Sequence, residues 1–312
     1  MNIGKSYFWT LLSCEIYSVF AFIKHIQNRF LKKLCFVLLS PLLFPVALYK
    51  FLIFTIPYVE VVITPSCNLN CKGCANFMPL YQLKKSVSTE QIKQTVSALL
   101  SVSGRVDVLK LIGGEPFLHP ELSELLTFVL GNPKVKKVML TTNGSIVPSE
   151  QVLNVMSNKR VHVIISDYPT VNHTCMIEAL EKYGVSFTLL KFENWEDYGG
   201  AELRKLSESE LTKSYALCSA ASCKTLYGNK LFSCPRSAHG DFLNLFEESP
   251  ENSPVICGVS AKELKQNIKR LYKTKYLTAC DYCNPPWARE EIECGVQIPK
   301  KPQTPLTNST EV

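Results

Sequence analysis

Between residues 57 and 190, apolar runs of strand length alternate with amphipathic runs of helix length, and this alternation confines the chain to α/β folds built on a parallel sheet or barrel. The β-rich runs are Val59–Thr64, Val106–Ile112, Val135–Thr141, Val161–Ile165 and Val185–Leu190. Helical patterns fall between them at Ser88–Val102, with Ile92, Val96, Leu99 and Leu100 on one face, and at Pro120–Leu130, Ser149–Met156 and Thr174–Tyr183. The repeated units imply a parallel sheet or barrel with its working loops at the C-terminal ends of the strands, and five strands are too few for a full eightfold barrel. After the polar stretch 191–214 the alternation stops, and Lys224–Tyr227 and Leu231–Ser233, joined across Gly228-Asn229, read as a hairpin. These shifts divide the chain into 57–205, a smaller cysteine-rich unit 206–298, and a Pro-, Thr- and Ser-rich tail 299–312 predicted to be disordered.

The segment before the repeat is of another kind. Leu34–Ile56 holds one charge, Lys50, in twenty-three residues, a length that could cross a hydrocarbon core. Pro41 and Pro45 interrupt that run, and the earlier apolar stretch Tyr7–Ile23 contains Glu15. No small-residue cleavage site follows, so a signal peptide is not supported. Residues 1–56 read as helical, either as an interfacial helix with Lys24, Arg29, Lys32 and Lys33 toward anionic headgroups, or as an extension packed on the main domain. Six basic residues against Glu15 alone give this segment five of the chain's seven net positive charges. The remainder carries no basic footprint, which excludes nucleic acid as a partner and predicts a cytoplasmic protein, at most peripheral on the inner face of the membrane.

Thirteen cysteines in 312 residues, an odd number with tight local spacings, point to reduced metal-binding thiols rather than a disulfide framework. Cys67-x3-Cys71-x2-Cys74 places three of them in eight residues directly after the first strand. Three thiolates can hold three irons of a four-iron cluster and leave the fourth iron open. A zinc knuckle is the competing reading, but zinc wants a fourth ligand and no histidine lies within forty residues on either side.

With Gly113-Gly114-Glu115-Pro116 after the second strand, Thr141-Thr142-Asn143-Gly144 after the third and Ser166-Asp167 after the fourth, residues 57–190 resemble the radical S-adenosylmethionine (SAM) superfamily. The resemblance implies a radical SAM type of partial barrel, and an enzyme whose 4Fe-4S cluster on Cys67, Cys71 and Cys74 cleaves SAM to a 5'-deoxyadenosyl radical that takes hydrogen from a substrate. It places SAM against Gly113, Gly114, Glu115, Pro116, Thr142, Asn143 and Ser166, with Glu115 accepting from the methionine ammonium. It also implies a reductant such as flavodoxin or ferredoxin. One departure stands out: the residue before the third cysteine, often aromatic in this superfamily, is Gly73, which leaves adenine to Phe77 or to backbone.

Cys218-x4-Cys223-x10-Cys234 followed by Cys280-x2-Cys283, with Cys294 beyond, is similar to the SPASM domain or its shortened twitch form, and implies a second, auxiliary 4Fe-4S cluster. Cys223, Cys234, Cys280 and Cys283 are the predicted ligands, with Cys218 as the alternative to Cys223. Structural zinc is the competing occupant. Cys14, Cys35, Cys175 and Cys257 read as small buried residues. His119, His162, His173, Arg236 and Tyr168 receive no role. The leading function is oxidation of a sugar or cyclitol alcohol through the auxiliary cluster. Maturation of a ribosomally made peptide is the enzymatic alternative, and a zinc-binding scaffold at the membrane the non-enzymatic one.

Overall fold

The structure, a computed structural model, describes residues 45–299 other than 47, 83 and 84. The predicted tail beyond Pro299 and the apolar segment up to Phe44, with Cys14 and Cys35, lie outside the described residues.

Five βα units open the fold: β1 (Thr55–Thr64), α1 (Thr89–Val102), β2 (Arg105–Gly113), α2 (Leu122–Gly131), β3 (Val135–Thr142), α3 (Glu150–Met156), β4 (Val161–Asp167), α4 (Thr174–Lys182) and β5 (Phe187–Lys191). Strands β1 to β5 pair in parallel, each with its predecessor. Alternate strand residues face one way, and Val59, Val61 and Ile63, Leu109 and Leu111, Val138 and Leu140, and Val163 and Ile165 share one core with Ile92, Val96 and Leu99 of α1, Leu122, Leu125 and Val129 of α2, and Met176 and Leu180 of α4. The helices therefore cover one face of the sheet. Serine side chains start two of them: Ser88 accepts from the Gln91 amide and Ser149 from that of Val152, caps worth about 1 kcal/mol each.

A short strand β6 (Asn194–Glu196) and helix α5 (Glu208–Leu217) follow, then β7 (Thr225–Tyr227), β8 (Lys230–Phe232), α6 (Pro235–Phe242), α7 (Ala261–Leu271) and β9 (Glu291–Glu293). The β7–β8 hairpin, which the sequence assigns to a separate unit, extends the main sheet: β7 pairs in parallel with β1, giving the order β5-β4-β3-β2-β1-β7-β8. The sheet thus ends in two edges and does not close, as a partial barrel requires. β9 returns to pair antiparallel with β6.

The boundary at Ile56 also moves. Phe54, Thr55 and Ile56 are buried, and β1 begins at Thr55 opposite Arg105. The Lys50 ammonium lies 2.7 Å from Asp107 on β2, both side chains largely buried. Leu48, Tyr49, Phe51 and Leu52 just before the strand are exposed. Among the described residues no helix is long and apolar enough to cross a membrane.

Candidate active site

The loop after β1 carries Cys67, Cys71 and Cys74, and the loop after β2 is zipped onto it. The Gly114 amide donates to Thr64 O at 2.9 Å and the Glu115 amide to Ser66 O at 2.7 Å. A Cβ on Gly114 would lie 2.4 Å from Ser66 O and 2.7 Å from the Cys67 Cβ. The close backbone approach that the Gly-Gly pair permits is thus, first of all, an approach of one loop to the other. Burial pushes the Cys67 thiol up to about 12, and the Glu115 carboxylate and the thiols of Cys74 and Cys71 add to the rise. Cys71 is raised by burial too, although the Gln297 amide donates to its sulfur at 3.1 Å and favours the thiolate. Metal binding at such a site must displace protons.

Glu115 is fully buried, and the motif at the end of β3 closes on it. Thr142 Oγ1 donates to one carboxylate oxygen at 2.8 Å and the Asn143 amide to the other at 2.9 Å. The Phe117 amide adds a longer bond at 3.3 Å. Burial outweighs these donors and lifts the carboxyl to about 7. A carboxylate offers about four acceptor sites, and these three donors leave one of them unused. Asn143 Nδ2 in turn donates to Asn68 Oδ1 at 2.9 Å, and Asn68 Nδ2 to Ser145 at 2.7 Å, which ties the cysteine loop to the end of β3. Ser166, buried at the end of β4, shares a hydrogen bond with the Tyr168 hydroxyl. Tyr168 packs edge-on against Trp195 at 5.3 Å and lies near enough to Cys71, Cys74 and Cys67 for their charges to reinforce the rise that burial causes in its phenol. Pro116 is buried and opens the turn that follows Glu115.

Gly73 has a structural cause. Its φ is +71°, and a Cβ there would lie 2.3 Å from Ile292 Cδ1 on β9. The Ile292 side chain lies where a side chain on residue 73 would start. Phe77 is committed elsewhere, its buried ring stacked under the Arg236 guanidinium at 4.1 Å. Next to β9, the Lys72 amide donates to Val296 O at 2.7 Å and the Ile298 amide to Asn70 O at 2.9 Å, so residues 296–298 form an edge for the loop.

The second cysteine group gathers differently from the prediction. Cys218, Cys234, Cys280 and Cys283 line one cavity with Tyr198, Tyr215, Arg236 and Arg289. Cys223 lies outside it, half-buried near Glu60 and Lys110 on the sheet. Cys218 rather than Cys223 thus stands beside Cys234, Cys280 and Cys283, because the short helical turn 219–222 carries the chain from the cavity back to β7. Burial holds the Cys234 thiol well above its usual range, and the Cys283, Cys280 and Cys218 thiols add to it. Hydrogen-bond donors nevertheless point at the sulfurs: the Ser237 amide at Cys234 (3.3 Å), Arg236 Nε at Cys283 (3.1 Å) and Arg289 Nη2 at Cys218 (3.5 Å). That is a donor set for thiolates. Among the described residues no three His, Cys, Asp or Glu side chains are drawn together around a single ion.

Residues 61–196 match the family model of the radical SAM superfamily. The chain carries a radical SAM domain. Domains of this superfamily use a 4Fe-4S cluster and SAM, and the three-cysteine loop and the Glu115 node of this one fit that pair. The chain is 36% identical over 90 residues to the GTP 3',8-cyclase of Chlorobaculum tepidum, a match covering 29% of this chain and 26% of the cyclase. It thus spans about a quarter of that relative's length. Among solved structures it is similar to anSMEcpe with bound AdoMet (TM-score 0.46, 16% identity, 68% of this chain and 81% of that one). It is also similar to BtrN in complex with AdoMet and 2-DOIA (TM-score 0.43, 12% identity, 78% and 98%).

Several residues around the radical SAM domain carry no signal in the sequence. Asn68, Gln297 and Ile292 act through contacts across loops, and Arg289 and Tyr198 through the second cavity. Cys294, grouped in the sequence with the second set, is buried beside Cys71 and donates to Phe192 O at 3.4 Å. Cys175 is exposed rather than buried, and Cys257 is half-buried. His119 is held between Val87 O and the Glu121 amide, which is a structural role.

Proposed function

We propose that the chain is a radical SAM oxidoreductase that holds a first 4Fe-4S cluster on Cys67, Cys71 and Cys74 and a second on Cys218, Cys234, Cys280 and Cys283. The observation that carries this reading is the convergence of the last four thiols on one cavity, with hydrogen-bond donors aimed at three of them. With both groups bound, the first supplies hydrogen-atom abstraction and the second takes up the one electron left when an alcohol carbon, having lost that hydrogen atom and its hydroxyl proton, becomes a carbonyl. The chain's own part is to orient. Glu115, fixed by Thr142 and Asn143, presents its remaining acceptor site to the SAM ammonium, and Ser166 stands at the end of β4.

A hydroxyl-bearing small molecule of the sugar or cyclitol class suits the sheet face opposite the helices. There Tyr58 donates to Glu60 at 2.6 Å and Lys110 pairs with the same carboxylate at 3.0 Å. His162 lies between Ser186 at 2.8 Å and Thr188 at 3.0 Å on that face. These polar side chains alternate with the core residues of β1, β2 and β4.

The test is an iron count after anaerobic reconstitution. The wild-type chain should hold about eight irons, and Cys218→Ala with Cys280→Ala about four, whereas Cys223→Ala should keep them all. Replacing Cys67, Cys71 and Cys74 should leave about four and abolish SAM cleavage by dithionite-reduced protein. Zinc in place of iron, or equal iron loss from Cys218→Ala and Cys223→Ala, would refute the assignment.

A further inference from the structure

Arg236 enters the first turn of α6 two residues after Cys234, the N-cap of that helix, so its backbone is fixed by an element that already carries a thiol of the second cavity. The residue is only 4% exposed. Its Nε donates to Cys283 Sγ at 3.1 Å, Nη1 to Ala75 O at 3.3 Å, and Nη2 to Gly199 O at 3.0 Å and Gly200 O at 2.8 Å. Its plane lies over the Phe77 ring. One guanidinium therefore touches both cysteine loops, since Ala75 and Phe77 follow Cys74 directly. Among the described residues no carboxylate pairs with it, and a buried cation without a counter-charge is destabilising. A four-iron cluster on four thiolates carries about −2 and would supply that charge. Arg289, stacked on Tyr198 at 4.1 Å, stands on the other side with its longer bond to Cys218.

We infer that Arg236 is a positioning residue that sets the reduction potential of the second cluster and braces the first cysteine loop against it. The inference rests on the auxiliary-cluster reading. A cation that donates to a ligand sulfur stabilises the more negative, reduced cluster, so its removal lowers the potential. Arg236 bonds its sulfur more closely than Arg289 does and should have the larger effect.

The experiment uses the full chain with Cys67, Cys71 and Cys74 replaced by Ala, so that one cluster is read alone in an EPR-monitored redox titration. Arg236→Gln should make reduction at least tenfold less favourable, a fall of 59 mV for one electron. Arg236→Lys, which keeps the charge but loses the fork, should fall between Gln and the parent, and Arg289→Gln should shift less than Arg236→Gln. In the otherwise wild-type chain, amide hydrogen exchange in residues 74–78 should rise in Arg236→Gln and not in Arg289→Gln. Four irons retained with an unmoved potential in Arg236→Gln overturn the inference alone. Loss of the cluster from both Arg236 variants overturns it too, by showing a purely structural role, and a parent without iron removes the auxiliary cluster and the inference together.

Discussion

Glu115 offers a test that needs no cofactor. Its carboxyl is lifted by burial from an ordinary value of 4.5 to about 7. Below pH 4.5 the group is protonated in both the folded and the unfolded chain, and its contribution to stability is fully present. Between pH 4.5 and 7 the unfolded chain ionises while the folded one resists, so stability is lost as pH rises through the folded pKa. A displacement of about 2.5 units corresponds to about 3 kcal/mol. Glu115→Gln keeps the shape and one acceptor oxygen but cannot ionise. Urea midpoints should be measured on the metal-free, reduced proteins from pH 4.5 to 8. The wild-type chain should lose about 3 kcal/mol relative to the variant across that range. The buried His119, whose pKa burial depresses, works in the opposite direction but is common to both chains and cancels in the difference. Parallel stability curves for the two proteins would refute the reasoning, because they would mean that water or a neighbouring donor keeps Glu115 ionised in the folded state.

Two further outcomes follow from local geometry. Gly73→Ala should cost about 1–2 kcal/mol through its left-handed backbone alone, and more because Ile292 blocks the new methyl; adding Ile292→Ala should recover only the second part. Equal urea midpoints for the single and double variants would show that Ile292 simply moves aside. His239, fully buried with Nδ1 sharing a hydrogen bond with the Tyr81 hydroxyl at 2.7 Å, has its pKa pushed down by burial to about 3. Its stabilising effect is present above pH 6.5 and lost as pH falls toward 3, about 2 kcal/mol of it by pH 5. His239→Gln should flatten the acid limb of the unfolding curve, and an unchanged limb would count against a neutral buried imidazole.

The βα alternation was legible because each strand and helix carries its own period, and the strand-end motifs because they sit where that alternation ends. Cys218 and Cys223 were not separable by spacing: both precede the hairpin, and only the turn at 219–222 decides which thiol faces Cys280. The start of β1 was hidden because Phe54, Thr55 and Ile56 continue an apolar run in which Leu48, Tyr49, Phe51 and Leu52 are exposed, so composition does not change where burial does. Gly73 shows the same limit from the other side. Its reason, Ile292, lies in a strand more than two hundred residues later, and no local pattern records a contact between segments so far apart.

The distance between those segments has a consequence in time. Gln297 meets Cys71 across 226 positions of sequence. At roughly 5–20 residues per second of synthesis, the amide that bonds the thiol emerges roughly 11 to 45 s after it. During that interval the three thiols stand on a loop with no edge to pair with, and long-range closure of this kind is slow in any case. The cysteine loop is therefore a late product of synthesis: iron delivered before residue 297 meets thiols whose partner has not yet been made, and truncation ahead of that residue makes the condition permanent.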